Sequence, residues 1–236
     1  YVSYDDGANW QSLMANLPHT PMYWIDVQEH FNDLVIGTYG RGIYILDDLS
    51  PVQQMTAEVA EKDAHLFAPR DAYRFQPAAA NMQFFPDASS GEDAKQGASL
   101  NFWMKEAGKK VKLHITDSKG DTVKTLSPKA RKGINRIWWN FNAESTDPIV
   151  FRTPAIYADW IPLSKQRTRN PYFPPFSYKV PPGSYTVHLE AGEESQTQKL
   201  KVMKDPDSEG SLEDIAEQIA LMKKLHFDMN QLVKMI

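Results

Sequence analysis

Cysteine is absent from the 236 residues, which excludes disulfides, thiolate nucleophiles and any cysteine-ligated metal. An excess of basic charge is also lacking. The formal net charge is −4, so no positive field draws the chain to nucleic acid or to an anionic membrane surface. No apolar run approaches the roughly 20 residues that span a bilayer as a helix. His19, His30, His65, His114, His188 and His226 are scattered, with no His-x-x-x-His spacing, and no metal or cofactor is expected from them. Neither a glycine-rich phosphate loop nor a nucleophile elbow occurs, and Gly40-Arg41-Gly42 is too short for a phosphate signature.

Aromatic residues are plentiful: six Trp, ten Tyr and eleven Phe. Large flat side chains at this density favour half-buried strands. Residues 1–50 read as short strands joined by Asp-Gly, His-Phe-Asn-Asp and Tyr-Gly-Arg-Gly turns. The run Tyr1-Val2-Ser3-Tyr4-Asp5-Asp6 matches Ile43-Tyr44-Ile45-Leu46-Asp47-Asp48, so Asp5 aligns with Asp47, 42 residues on. A period of about 40–45 residues with four strands per unit is the signature of propeller blades. Gly7 becomes Leu49 in the second copy, as expected of a last blade where the chain leaves the ring at Ser50-Pro51.

Residues 51–97 read as a connector. Residues 98–204 alternate polar and apolar in short strands separated by turns such as Asp117-Ser118-Lys119-Gly120-Asp121 and Pro182-Gly183, the pattern of a β-sandwich. A long insertion at 143–181 interrupts it. The insertion's Tyr157, Trp160, Tyr172, Phe173 and Phe176 are a candidate interaction surface if exposed, and cover for the sandwich edge if buried; burial of most of them is expected. Residues 205–236 change to helical periodicity. Leu212, Ile215, Ile219, Met222, Leu225, Met229, Leu232 and Ile236 step by three or four, and Ser211 with Asp214 forms a capping-box pattern. At 1.5 Å per residue the stripe runs for roughly 37 Å. That length predicts a helical partner on the Leu212–Ile236 stripe, either another chain or a hairpin completed beyond Ile236. The chain opens inside a strand pattern and closes inside a helical one, so a portion of a longer polypeptide is expected.

Ser3-Tyr4-Asp5-Asp6-Gly7-Ala8-Asn9-Trp10 resembles the Asp box of bacterial neuraminidase repeats, in which Ser3, Asp5, Gly7 and Trp10 are structural and only Asn9 departs, at the Thr position. Gly7 permits positive φ, Asp5 closes an Asx turn, and Trp10 anchors the following strand. Leu34 to Ser50, Leu66 to Arg74 and Lys204-Asp205-Pro206 resemble large secreted bacterial proteins with sortilin-like propellers. Val111–Leu126, Gly133–Asn142 and Pro182–Val187 resemble the immunoglobulin-like module of flagellar hook-capping proteins.

These resemblances imply a mainly β chain. It would comprise final propeller blades (1–50), a connector (51–97), an immunoglobulin-like sandwich (98–204) and a C-terminal amphipathic helix (205–236). They imply a secreted, periplasmic or cell-surface bacterial protein, with upstream blades as its first partner and a glycan or polypeptide as candidate ligand. Arg41, in the turn opposite the Asp-box end of a blade, is either ligand-facing or a solvated turn residue. Asp5, Asp6, Asp47 and Asp48 are read as turn formers, because adjacent carboxylates on a turn diverge whereas a retaining glycosidase pair sits about 5–5.5 Å apart. The expected role is therefore a non-catalytic accessory region. The alternative is part of a sialidase- or xyloglucanase-like glycoside hydrolase whose acids lie in upstream blades.

Overall fold

A computed structural model describes residues 1–14, 16–75, 95–150, 156–157 and 175–235. Over these described residues the fold is mainly β, 38% strand against 17% helix, with three sheets, one of them curled into a half-barrel, and a C-terminal helix.

The first sheet is an antiparallel meander of β1 (Met22–Gln28), β2 (Asp33–Thr38) and β3 (Ile43–Leu46). It is preceded by a small hairpin whose arms meet at an antiparallel bridge between Val2 and Gln11. The β2–β3 turn needs left-handed backbone at Gly40 and Gly42. Register decides which side chains share a face. Ile25 pairs with Ile36 and Ile36 with Tyr44, while Val27 pairs with Leu34 and Leu34 with Leu46. The opposite face carries Trp24, Val35, Ile43 and Ile45. Both faces are thus apolar, unlike the one-sided alternation of an antiparallel sheet with a wet face.

Two short helices follow, α1 (Ser50–Gln53) and α2 (Ala57–Glu61). Thr56 caps α2 by accepting from the Val59 amide at 3.2 Å. The 51–97 stretch then supplies two strands to the remaining sheets: β4 (Ala64–Leu66) and β5 (Ala72–Arg74). The five-stranded sheet has the order β5-β11-β10-β7-β8, and the three-stranded one β4-β6-β9. Their other members are β6 (Ala98–Met104), β7 (Val111–Thr116), β8 (Thr122–Leu126), β9 (Gly133–Trp139), β10 (Gly183–Ala191) and β11 (Glu194–Lys204).

These two sheets share one core. Leu113 and Ile115 of β7, Val187 and Leu189 of β10 and Leu200 of β11 join Leu100, Phe102 and Met104 of β6 and Trp139 of β9. The period of two on β7 and β10 turns alternate residues inward, as their sequence predicts. β6 departs from alternation: Ser99 and Asn101 are buried as well as Leu100 and Phe102, because its second face covers a polar junction described below. Edge strand β4 is stitched to β11 by glutamines. Gln196 accepts from the Leu66 amide and donates to the Ala64 carbonyl, each at 3.0 Å.

His114 and His188 are half-buried partners across β7 and β10. Thr116 Oγ1 lies 3.1 Å from His188 Nε2, and Glu190 Oε2 lies 3.3 Å from His114 Nε2.

The C-terminal helix α3 spans Leu212–Met235. Its capping box forms as expected: the Asp214 amide donates to Ser211 Oγ at 3.0 Å, and the Ser211 amide donates to the Asp214 carboxylate at 2.8 Å. The helix lies on its own chain. His226 Nε2 sits 3.0 Å from the Glu144 carbonyl oxygen, and the Asp147 amide donates to Asn230 Oδ1 at 2.8 Å. Among the described residues, no helix is long and apolar enough to cross a membrane.

Candidate functional site

The Asp-box-like turn is built by side chains folding back on its own backbone. Ser3 Oγ accepts from the Gly7 amide at 2.7 Å and donates to Asp5 Oδ1 at 2.9 Å. Asp5 Oδ1 also accepts from the Asn9 amide at 2.8 Å, and Oδ2 from the Asn9 side-chain amide at 2.6 Å. Asn9 thus supplies a second donor to the carboxylate at the position where the motif has Thr. The Asn9 bonds, with that from Ser3, hold the Asp5 pKa below the ordinary aspartate range. Gly7 takes φ +91°, and Trp10 donates to its carbonyl through Nε1 at 3.0 Å. Trp10 itself is 61% exposed, so its indole closes the turn without entering a core.

Between this hairpin, the Ile25–Ile36–Tyr44 face of the first sheet and α1–α2 lies a bowl of about 1740 Å³. Leu34, Leu46, Leu49, Val52 and Met55 contribute to its apolar wall. Small-molecule clefts run from roughly 300 to 1,000 Å³. This bowl is larger than such a cleft. On the other face Trp24, Ile43 and Ile45 are 71%, 72% and 60% exposed. Arg41 is exposed in the β2–β3 turn. At the same end Tyr23 and Tyr39 stack with ring centroids 5.7 Å apart.

Where the first sheet meets the other two, charged and polar groups converge. Asp48 follows β3, takes φ +53° and is fully buried. Its carboxylate accepts from Asn101 Nδ2 at 2.9 Å, and its carbonyl accepts from Arg136 Nη2 at 2.8 Å. Arg136 Nε donates to Asn101 Oδ1 at 2.9 Å, fixing the amide's orientation. The Asp48 amide donates to Asp33 Oδ1 at 2.8 Å, and that carboxylate faces Arg70 Nη1 at 3.3 Å. Arg70 also donates to the Phe31 carbonyl and lies over the Phe31 ring, 5.3 Å from its centroid. Burial lowers the Arg136 pKa, opposed by the nearby Asp48 and Asp47 charges.

Five residues from three sequence regions therefore lock the meander to the two-sheet unit. Asp48, read from sequence as a turn former, is also an interior polar anchor. Asn101 and Arg136 gave no motif. The signal available was their placement: polar residues where neighbours on the same strands are apolar or aromatic.

Within the insertion, Tyr157 is 88% exposed. Phe176 is half-buried, with its ring 6.4 Å from that of His226. Trp160, Tyr172 and Phe173 lie outside the described residues. No protein-family model matches the chain, and no curated protein matches it.

Proposed function

We propose that this chain is a non-catalytic accessory region of a secreted bacterial propeller protein of the Asp-box kind. In this reading β1–β3 form a terminal blade. The two-sheet unit is an immunoglobulin-like sandwich that anchors the blade and presents it to its neighbours. The observation that carries the proposal is the apolar surface the meander leaves in water, Trp24, Ile43 and Ile45 on one face and Ile25 on the other. A sheet of this kind is stable when layers cover both sides, and stacked blades provide that because each unit buries its faces only against neighbours. The self-bonded turn around Asp5 supports the same reading, as does the Asp48–Asn101–Arg136 junction, which fixes the blade's orientation on its support.

Its chemical side is tested by incubating the chain with a panel of aryl glycosides that includes sialosides and xyloglucan oligosaccharides. The expected result is no turnover above the buffer rate. Hydrolysis by this chain alone would overturn the accessory reading.

A further inference from the structure

Helix α3 presents two adjacent apolar faces. One rests on its own chain through the fully covered Ile219 and through His226, whose ring packs against Tyr178 and Phe176. The second is wet: Leu221, Leu225, Met229 and Leu232 are 59%, 43%, 39% and 59% exposed. With 3.6 residues per turn these four fall on one side of the helix, flanked along one edge by Lys224 and Asp228.

The spacing of this stripe is palindromic. Leu221, Lys224, Leu225, Asp228, Met229 and Leu232 are separated by three, one, three, one and three positions, which reads the same in either direction. We propose that the stripe is the contact face of a two-fold dimer, in which α3 of one copy runs antiparallel to α3 of a second. An interface of this symmetry joins a patch to itself, so the patch must be self-complementary. Reversal about the point midway between His226 and Phe227 sets Leu221 against Leu232 of the second copy. It sets the Lys224–Leu225 pair against the Asp228–Met229 pair of the second copy. On the same edge it places Lys224 beside Asp228 of the second copy, twice by symmetry.

Because the chain has no cysteine, single cysteines report the pairing directly. Full-length chains carrying Leu221→Cys and Leu232→Cys, one of them isotope-labelled, are mixed in equal amounts, oxidised mildly and analysed by mass. The mixed disulfide is expected to predominate over both homodimers. Lys224→Asp should lower its yield, and Lys224→Asp with Asp228→Lys should restore it. Leu221→Cys homodimers in excess would indicate parallel pairing, and a statistical mixture or no cross-link would indicate no pairing through this face. Each of these results overturns the proposal.

Discussion

Arg136 Nη2 donates a 2.8 Å hydrogen bond to the backbone carbonyl of Asp48, 88 positions earlier in the chain. Through Asn101 the same guanidinium also supports the Asp48 carboxylate. One cation on β9 thereby secures the exit of the first sheet. Arg136→Met leaves a buried carbonyl and a misoriented amide, and Asn101→Leu removes the carboxylate's side-chain donor. Each is expected to cost about 2–4 kcal/mol, because an interior polar group stripped of its partner bears its full desolvation penalty. Urea unfolding measures the loss. If the two losses are coupled through the network, the double variant loses less than the sum of the singles.

Tyr185 Oη donates to the Pro181 carbonyl at 2.6 Å, and burial raises its phenol well above the ordinary tyrosine range. Tyr185→Phe is expected to cost about 1 kcal/mol. The pH dependence has a definite sign. A folded-state pKa above the unfolded one contributes stability that is fully present below roughly pH 10 and declines as pH rises from there toward the folded value. Alkaline unfolding curves of the native chain should therefore steepen above about pH 10 more than those of the Phe variant.

At the Asp-box-like turn the sign is opposite. The Asp5 pKa is lowered by its bonds from Asn9 and Ser3, so the turn's ordering is present above the unfolded aspartate pKa of roughly 4 and fades as pH falls through the folded value. Asn9→Ala removes the side-chain donor. Its Asp5 should titrate closer to the ordinary value, as followed by carboxyl NMR shifts. An unchanged midpoint would show that Asn9 does not hold the carboxylate.

Gly97 has φ +127°, and a Cβ there would strike the carbonyl of Trp139. Gly97→Ala combines an unfavourable backbone conformation with a clash against β9. It is expected to destabilise by more than about 2 kcal/mol, read as a lowered urea midpoint.

Local rules made much of the fold legible. The alternation of Val111, Leu113 and Ile115, the turn at Asp117–Asp121 and the cap at Ser211 are short-range patterns, and each appears where its pattern placed it. Long-range pairing was less readable. β5 runs parallel to β11, with Ala72 beside Val202, and nothing local to 72–74 specifies a partner 130 residues away. The junction was illegible for the same reason. Asp33, Asp48, Arg70, Asn101 and Arg136 are each unremarkable in their own windows, and their meaning arises only where three chain regions meet. The helix stripe was half read. Its periodicity announced an apolar side, but its division between an own-chain face at Ile219 and a wet face at Leu221 depends on where residues 144–147 and 176–178 lie.

In the proposed reading β1–β3 form a layer needing neighbours, carried by a two-sheet unit that holds its own core. Amide hydrogen exchange of the intact chain tests it strand by strand. The paired amides of β1–β3, including Ile25, Ile36 and Ile45, are expected to exchange at least ~100-fold faster than those of Leu113, Val187 and Leu200, since a sheet with much of its apolar surface in water opens at low free energy while core strands open only with global unfolding. Equal protection in the two regions would contradict it, showing the meander to be as stable as the core without any layer against its faces.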